Sequence, residues 1–437
     1  MKKAISLMIV GIMVFVLVAC NTQNVSNETT DVQSEIVTTL EESKVNHQVL
    51  EAVNLMEGIK SNISEAIPDP SKADAVKAAD FAVRLFKACN ESGMNTLISP
   101  LSVLAALSMT ANGAKGETAA QMEKVLGMSI QELNEFYLSY SNALVNGEKY
   151  KLNLANSIWF TSDERFTVNR DFLQKNANYF KSDIYKAPFD DTTLEDINDW
   201  VYQKTDGMIS DILDEIPAEA IMYLINALAF DAEWQEKYTT DQIGKGNFVL
   251  EDGTKKNVEF MSSIEYDYLS DDLAQGFMKY YNGGKYAFVA MLPNEGVTVD
   301  QYVSSLSGEK LQKMISNAKG SVGVKIPKFE TEYDTEMSDI LKKMGMTDAF
   351  SGSKADFTGL GTSIGGNIFI GRVIHKTYIS VTETGTRAGA ATVVEMRDES
   401  YHEASKSVIF NRPFVYMIVD TETNIPFFIG TLMDVGE

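Results

Sequence analysis

The order of two hydrophobic periodicities constrains the fold of this chain more than any other feature. Apolar residues recur at helical spacing in the segments 72–90, 100–111, 117–126 and 131–145. Later apolar runs have the length and composition of strands, at Leu152–Phe160, Met222–Phe230, Tyr286–Leu292, Val322–Ile326, Ile368–Ile374, Phe414–Val419 and Phe427–Leu432. Helices that precede strands joined by hairpin-length loops predict an α+β fold with large, mostly antiparallel sheets.

The chain is long and apolar enough for one large packed core, with 437 residues of which 44% are hydrophobic. Its sequence shows no internal repeat and no linker after residue 75, which predicts a single main domain. The formal net charge of −23 repels nucleic acids and anionic polysaccharides, so neither class of partner is expected.

The chain offers little material for a metal or disulfide site, because it has 2 cysteines and 3 histidines. Cys20 and Cys89 are too few for a disulfide framework, and no Cys-x-x-Cys or Cys/His cluster predicts a metal centre. No phosphate-binding or calcium loop is found, so no cofactor is expected. Cys89 ends an apolar helical pattern, which favours a buried free thiol.

Residues 1–20 have the pattern of a bacterial lipoprotein signal peptide. Lys2 and Lys3 precede an apolar run that ends Leu17-Val-Ala-Cys20 and is shorter than the roughly 20 residues that span a bilayer. This ending resembles the lipoprotein signal, in which the Cys carries the lipid. The alternative is an ordinary secretion signal with an accidental Cys. The pattern predicts a lipid anchor at Cys20 on the extracellular side of a bacterial membrane.

Residues 21–71 are predicted to form a polar tether between the anchor and the main domain, 72–437. Asn21 to about Lys44 is rich in Asn, Thr, Ser, Gln and acidic residues, and cannot bury enough apolar area to fold. Residues 45–66 have the composition of a short helix. Pro68 and Pro70 then separate this segment from the main domain.

One enzyme motif matches, the G-x-S-x-G pattern at Gly361-Thr-Ser-Ile-Gly365. A nucleophile elbow of this type needs a strand before it and a helix after it. A turn-like segment precedes the motif here, and a β-forming run without helical period follows it. The sequence therefore argues against a hydrolase, and no enzymatic activity is expected.

The segment from Val381 to Arg397 alternates with period two. Its even positions from Thr386 to Met396 are small or apolar, whereas its odd positions from 387 onward hold Arg387, Glu395 and Arg397. Alternation predicts a strand with one buried face, yet Ala and Gly have poor strand propensity. The segment therefore has the character of a loop that can become a strand. The alternative is an ordinary edge strand followed by a loop.

Ordered motifs along the rest of the domain share one feature, their resemblance to a single known family. They are Asn95–Thr110, Gly113–Thr118, Leu154–Phe160, Ile197–Val201, Thr205–Ile209, Leu224–Phe230 with Trp234, Val324–Phe329, Glu383–Thr386, Phe410–Phe414 and Pro426–Gly430. Their order and content resemble the serpin family over about 72–437. The resemblance implies three β-sheets, about eight or nine helices and an exposed reactive loop at about 384–407.

The resemblance also implies a mechanism, in which a serine or cysteine protease attacks the loop and forms an acyl-enzyme. The severed loop then inserts into the central sheet as a new strand and distorts the protease before water can release it. The period-two pattern agrees, because the small even-numbered side chains would face the core. The expected partner is a target protease, and the protein is expected to be a monomer.

Individual residues carry over from the family motifs. The hinge of the loop matches Glu383, Gly385, Thr386, Ala388, Ala390 and Ala391. Family hinges usually have acidic residues at 384 and 387 and Ala at 389, where this chain has Thr384, Arg387 and Gly389. A polar cluster beneath the point where the sheet parts matches Ser99, Ser102, Asn226 and His375. Trp234 matches the position where the loop first enters.

The usual family spacing from Glu383 places the scissile bond at Glu399–Ser400, which suits a protease with a glutamate-accepting pocket. The segment up to Phe410 is longer than in many relatives, so two other bonds stay open: Arg397–Asp398 for a trypsin-like enzyme and Tyr401–His402 for a chymotrypsin-like one. A non-inhibitory serpin that serves as a surface binding protein is the alternative function. No basic patch in 117–150 predicts activation by heparin.

Overall fold

The computed structural model describes residues 52–64, 66–144, 146–164, 166–216, 221–386 and 406–436. Side-chain caps explain where several of its helices begin: Ser71 accepts a hydrogen bond from the Asp74 N–H, and Ser129 and Glu132 form a reciprocal capping box. The helices of the described residues are α1 (Lys72–Cys89), α2 (Pro100–Ala111), α3 (Gly116–Leu126), α4 (Ile130–Ala143), α5 (Arg170–Tyr179), α6 (Asp191–Lys204), α7 (Val299–Ser305), α8 (Gly308–Ser316) and α9 (Ser338–Met344).

The strands of the described residues range from short bridges to long sheet-spanning segments. They are β1 (Val53–Asn54), β2 (Thr96–Ile98), β3 (Tyr150–Thr161), β4 (Phe166–Val168), β5 (Asp183–Ala187), β6 (Met222–Glu233), β7 (Ile243–Val249), β8 (Lys255–Glu265), β9 (Asp267–Ser270), β10 (Ala274–Tyr280), β11 (Tyr286–Pro293), β12 (Val322–Pro327), β13 (Phe329–Glu336), β14 (Gly361–Ser363), β15 (Arg372–Val381), β16 (Gly385–Thr386), β17 (Ser407–Ile409), β18 (Phe414–Asp420) and β19 (Pro426–Leu432).

These strands form three large sheets and one small ribbon. Sheet A has 7 strands in the order β1-β5-β3-β6-β16-β15-β13, sheet B has 6 strands in the order β2-β19-β18-β11-β10-β9, and sheet C has 4 strands in the order β17-β12-β8-β7. The remaining pair is β14 with β4. Most neighbouring strands are antiparallel, and the parallel pairs are β3 with β5, β6 with β15 and β12 with β17. The predicted α+β architecture is confirmed.

The core lies between sheets A and B, and helix α2 is its centre. Every residue of this helix is buried, including Ser102, Ser108 and Thr110. A helix that is apolar around its whole circumference is stable only when other elements cover it on all sides. Strands β3 and β6 of sheet A and strand β19 of sheet B contact it here. Two serines thus reach the middle of the molecule on an otherwise apolar helix.

One strand begins later than its sequence pattern predicts. The apolar run Ile368–Ile374 predicts a strand, whereas β15 begins at Arg372 and continues to Val381. Ile368 and Ile370 are nevertheless buried, with exposed fractions of 6% and 1%. These two side chains anchor an irregular segment to the core, because apolar burial alone does not require strand geometry.

The segment just before the main domain also differs from its prediction. The described part of residues 45–66 is not a helix: β1 pairs with the edge strand β5, and Leu55 N–H donates to the Ile184 carbonyl at 2.7 Å. Leu55, Met56 and Ile59 pack against the core. The signal peptide, Cys20 and the tether up to residue 51 lie outside the described residues. Within the described ranges, no helix is both long and apolar enough to cross a bilayer.

Candidate functional site

The predicted hinge of the loop lies at one end of a seam in sheet A, between β6 and β15. After β15 the chain reverses direction at Glu383–Thr384, and Gly385–Thr386 then forms the two-residue strand β16. On one side Gly385 pairs with Glu233 and Thr386 with Ala232, and on the other side Thr386 pairs with Val381. The hinge therefore already occupies the first two positions of an additional strand. We call this end of the seam the open end.

Gly385 is required at the open end by the close approach of the neighbouring strand. A Cβ atom at this position would collide with the carbonyl oxygen of Ala232 and would lie 2.9 Å from the Cα of Glu233. Any side chain at 385 would therefore push β16 away from β6. The glycine allows the hinge backbone to pair at normal strand spacing.

Trp234 fixes the turn that leads into the hinge. Its indole N–H donates to the Thr382 carbonyl at 2.8 Å, and its backbone N–H donates to the Thr384 carbonyl at 3.0 Å. Its ring is buried and stacks on Tyr281 with a centroid distance of 4.5 Å. These contacts place Trp234 beside the start of β16, and its predicted role at the point of loop entry stays a prediction.

Glu383 connects the turn to the junction of β12 and β13 through an ion pair with Lys328. The Lys328 ammonium lies 2.9 Å from the carboxylate of Glu383 and 2.9 Å from that of Glu259. Partial burial opposes ionisation of Glu383, but the hydrogen bond and the charge of Lys328 outweigh it and keep the pKa of this carboxyl below its usual value. The ion pair thus favours the turn geometry at neutral pH.

Thr386 faces inward, as its even position predicts. Its exposed fraction is 1%, and its hydroxyl forms a hydrogen bond with the hydroxyl of Tyr281. A buried hydroxyl needs such a partner, because an unpaired polar atom loses its hydration without compensation.

The other end of the seam is closed by direct pairing of β6 with β15. Residues Tyr223–Ala227 and Arg372–Lys376 form a parallel ladder in which Asn226 is opposite His375. We call this the closed end. Between the two ends, the recorded pairings of the described residues do not join 228–231 to 377–380. The seam therefore changes from a closed ladder to a parted pair of strands along its length.

His375 is held neutral at the closed end. The Ser99 N–H donates to Nε2 at 3.0 Å, so the ring proton is on Nδ1, which donates to Oδ1 of Asn226 at 2.9 Å. Burial lowers the pKa of His375 from 6.5 to about 3, because a charged ring would lose its hydration here. If Nε2 were protonated, its N–H would face the Ser99 N–H, and the two donors would repel each other. This side chain is a structural hydrogen-bonding group and does not act as a general base.

The structure brings together all four residues of the predicted polar cluster. The Ser102 N–H donates to the Ser99 hydroxyl at 3.4 Å, which caps α2 beside His375. Sequence reasoning missed a fifth member, Asn156 on β3, whose Oδ1 accepts a hydrogen bond from Nδ2 of Asn226 at 2.6 Å. The signal was present, because Asn156 is an amide inside an apolar strand, as Asn226 is. The closed end is thus a row of hydrogen bonds across β3, β6 and β15.

The rest of the predicted loop lies outside the described residues. This concerns Ala388, Ala390 and Ala391 of the hinge and the predicted scissile bond Glu399–Ser400. The two points where the chain enters and leaves this segment are described. The last described residue before it, Thr386, lies in sheet A, and the first described residue after it is Lys406, whose carbonyl accepts a hydrogen bond from the Gly323 N–H of sheet C at 2.8 Å. The predicted loop bounds of about 384–407 stay a prediction.

Other candidate chemistry is not organised into a site in the described part of the chain. Ser363 ends the short strand β14, and no helix follows it before β15, so the nucleophile-elbow geometry is absent there. Cys89 is a buried free thiol as predicted, and burial raises its pKa to about 12. Within the described ranges, no group of three or more His, Cys, Asp or Glu residues could hold a metal ion.

Comparisons with known proteins agree with this architecture. The family described as "Serpin (serine protease inhibitor)" matches residues 76–435. The chain is 30% identical to human serpin B8 over 371 residues, which cover 80% of this chain and 96% of that protein. It is 28% identical to an uncharacterized serpin-like protein of Thermococcus kodakarensis over 364 residues, or 81% of this chain and 84% of that one.

Two solved structures of tengpin, a thermophilic serpin, give the same result in three dimensions. The native-state structure matches with a TM-score of 0.84 and 46% identity, covering 88% of this chain and 100% of tengpin. The latent-state structure matches with a TM-score of 0.76 and 44% identity, covering 85% and 100%. The family match over most of the chain, the sheet architecture and the parted seam lead to one conclusion: this chain belongs to the serpin family.

Proposed function

We propose that this protein is a protease inhibitor that acts as a suicide substrate and traps its target by inserting the cleaved loop into sheet A. The observation that carries the proposal is the position of Gly385–Thr386, which already lie between β6 and β15 as the start of a new strand. A loop that continued inward from Thr386 would extend this strand without reversing direction. Sheet A therefore supplies a path for the segment that follows.

The reaction begins as ordinary proteolysis. The nucleophilic oxygen or sulfur of a serine or cysteine protease attacks a loop carbonyl, the peptide C–N bond breaks, and the new amine leaves with the C-terminal part of the chain. The acyl-enzyme stays attached to the part that is continuous with Thr386. Insertion then moves the protease away from the open end before water attacks the ester or thioester.

Insertion is favourable because, among the described residues, the facing edges of β6 and β15 do not pair with each other between the closed end and β16. Residues 228–230 and 377–379 could each pair with an inserted strand, which would add backbone hydrogen bonds and bury the small even-numbered side chains. Further entry would separate the ladder at the closed end, including the hydrogen bond between His375 and Asn226. The uncleaved protein is thus a metastable state that is kept by a kinetic barrier.

We also propose that a lipid on Cys20 holds the inhibitor on the extracellular side of a bacterial membrane. Support comes from the basic start, the apolar run and the Leu-Val-Ala-Cys ending of residues 1–20. Metabolic labelling with a fatty acid, with Cys20→Ser as the control, tests this part independently of inhibition. Unlabelled protein, or release of the wild type into the medium, would contradict the anchor.

The decisive experiment is a Thr386→Arg variant compared with Thr386→Ser and the wild type. Arginine cannot enter the buried position of Thr386 without losing its hydration, so insertion should stall and the variant should be cleaved as a substrate. We expect an SDS-resistant complex with at least one member of a serine and cysteine protease panel for the wild type and Thr386→Ser. For Thr386→Arg we expect about a tenfold lower yield of complex. Equal trapping by the arginine variant would refute insertion.

The target class follows from the bond that is cut, which we propose to be Glu399–Ser400. Mass spectrometry of the C-terminal fragment released by an inhibited protease identifies this bond directly. A fragment that begins at Ser400 supports a glutamate-preferring protease as the target. A fragment that begins at Asp398 or His402 would instead assign a trypsin-like or chymotrypsin-like target.

A further inference from the structure

Tyr281 lies at the junction between sheet B and the hinge. It follows β10 directly and forms an isolated bridge with Trp234 at the end of β6. Its ring is fully buried and is fixed from two sides: it stacks on Trp234 at an interplanar angle of 11° and meets Phe230 edge-on at 5.0 Å. These contacts leave the ring little freedom. Its hydroxyl is therefore held at one place, directly under β16.

The hydroxyl of Tyr281 contacts the side chain of Thr386, which faces inward at the start of the predicted loop. Its partner is the hydroxyl of Thr386, and in the described part of the chain each of the two groups has the other as its hydrogen-bond partner. Tyr281 is 0% exposed and Thr386 is 1% exposed, so water does not replace a lost partner easily. Leaving either hydroxyl unpaired costs more than the hydrogen bond itself contributes.

The pair also discriminates between registers of the entering strand. A slip of one residue in either direction would place Gly385 or Arg387 above Tyr281 in place of Thr386. Glycine offers no side chain for the hydroxyl, and arginine would bring an unpaired charge into a buried position. Of these three registers, only the observed one satisfies the tyrosine.

We propose that Tyr281 is a positioning residue that holds Thr386 in place and thereby fixes the register in which the loop enters sheet A. The residue does not touch the protease, and it acts through the hinge. The effect of Tyr281 on protease trapping rests on the proposed function. Its effect on the position of the hinge does not rest on that function, because the hinge is held in the uncleaved protein.

The first test is amide hydrogen exchange of the segment 382–386 in the uncleaved full-length protein. In Tyr281→Phe, loss of one hydrogen bond should speed local exchange of this segment about fivefold. The matched control is Tyr302→Phe, which also removes a hydroxyl from a fully buried ring, here one that donates to Met314 on α8 at 3.8 Å. The control should leave exchange at 382–386 unchanged. Unchanged exchange in Tyr281→Phe would overturn the proposal.

The second test approaches the pair from the loop. Thr386→Val keeps the shape but removes the hydroxyl, whereas Thr386→Ser keeps the hydroxyl. We expect Thr386→Val to speed exchange as Tyr281→Phe does, and Thr386→Ser to behave like the wild type. If Tyr281→Phe does not fold, Thr386→Val carries the same test. A wild-type exchange rate in Thr386→Val would contradict the role of the hydroxyl pair.

The third test measures the consequence for inhibition in a double-mutant cycle. The measurement uses a protease that the wild type traps and counts the inhibitor molecules that are cleaved without trapping for each protease molecule that is trapped. This number should rise about fivefold in each single variant, because a hinge that is not held in place inserts more slowly after cleavage. The double variant should show no further rise, since the pair is already lost. If the fold-changes of the two single variants multiply in the double variant, the proposal is overturned. If the wild type traps no protease, the proposed function fails, and the exchange measurements still decide the role of Tyr281.

Discussion

The open and closed ends of the β6–β15 seam belong to the same two strands, yet they are organised in opposite ways. At the open end, β16 lies between the strands, and Trp234 and Tyr281 hold it there. At the closed end, the strands pair directly, and His375 bonds to Asn226 across them. The same two strands thus hold a short added strand between them at one end and pair directly with each other at the other end.

The two ends also differ in how charge is used. The open end is bordered by the ion pair of Glu383 with Lys328, whose side chains keep 30% and 23% of their exposure. At the closed end, the hydrogen-bonded row of Ser99, His375, Asn226 and Asn156 is neutral, because burial suppresses the charge of His375. A neutral hydrogen-bonded row can separate without leaving an unpaired buried charge, which would cost several kcal/mol. The proposed insertion would therefore separate this row at the closed end without leaving a buried charge unpaired.

The largest expected effect comes from cutting the loop. A single cut within 387–405 should let the loop extend β16 along the seam, and the added hydrogen bonds should raise the melting temperature by about 10 °C or more. Calorimetry of intact and cut protein at one scan rate measures this change. Cut Thr386→Arg serves as the control and should show little gain. An unchanged melting temperature for cut wild type would mean that the open end does not accept a strand.

The next effect is acid sensitivity of the closed end. The pKa of His375 is about 3 in the folded protein and about 6.5 in the unfolded chain, so the unfolded chain takes up the proton first as the pH falls. The stabilisation is complete above pH 6.5 and is lost progressively toward pH 3, up to about 5 kcal/mol.

Urea unfolding of the wild type and of His375→Gln between pH 7.5 and 4 isolates this contribution, since glutamine does not titrate. The stability of the wild type should fall more steeply with decreasing pH than that of the variant. If the free energy of unfolding changed with pH in the same way for both proteins, the neutral form of His375 would not stabilise the closed end.

The smallest effect concerns the ion pair at the open end. Glu383→Gln should lower the free energy of unfolding by about 1 kcal/mol, because both side chains are partly exposed and the solvent screens their attraction. Glu383→Lys should cost more, since two ammonium groups would then face each other. Combining it with Lys328→Glu in a Glu259→Gln background, which removes the second carboxylate beside residue 328, should recover part of the loss. Failure of this charge exchange to recover any stability would show that the ion pair does not stabilise the turn.

Much of the site was predictable from sequence, and the reasons are local. Thr386 lies inward because side chains alternate along a strand, and the helix caps at Ser71 and Ser129 follow from residue type. The family motifs singled out Ser99, Ser102, Asn226, His375 and Trp234, all of which lie beside the seam in the fold. Asn156 was missed because a lone amide in an apolar strand does not indicate which neighbouring strand will supply its hydrogen-bond partner.

The late start of β15 and the docking of residues 52–64 were not predictable for a related reason. The apolar pattern of Ile368–Ile374 is the same for a strand and for an irregular segment that is anchored to the core. Likewise, the polar sequence before residue 52 does not reveal that Val53 and Asn54 pair with the edge of sheet A. In both regions, the partner that decides the local structure is distant in sequence.

The sequence by itself determined the order of helices and strands, the inward position of Thr386 and the membership of the serpin family. These follow from local periodicity and from motifs that are read one at a time. Only the tertiary structure decided that the hinge is already seated and that His375 is neutral. Its hydrogen bond to Ser99 joins residues that are 276 positions apart. Such contacts depend on how complete elements pack, and no local pattern encodes them.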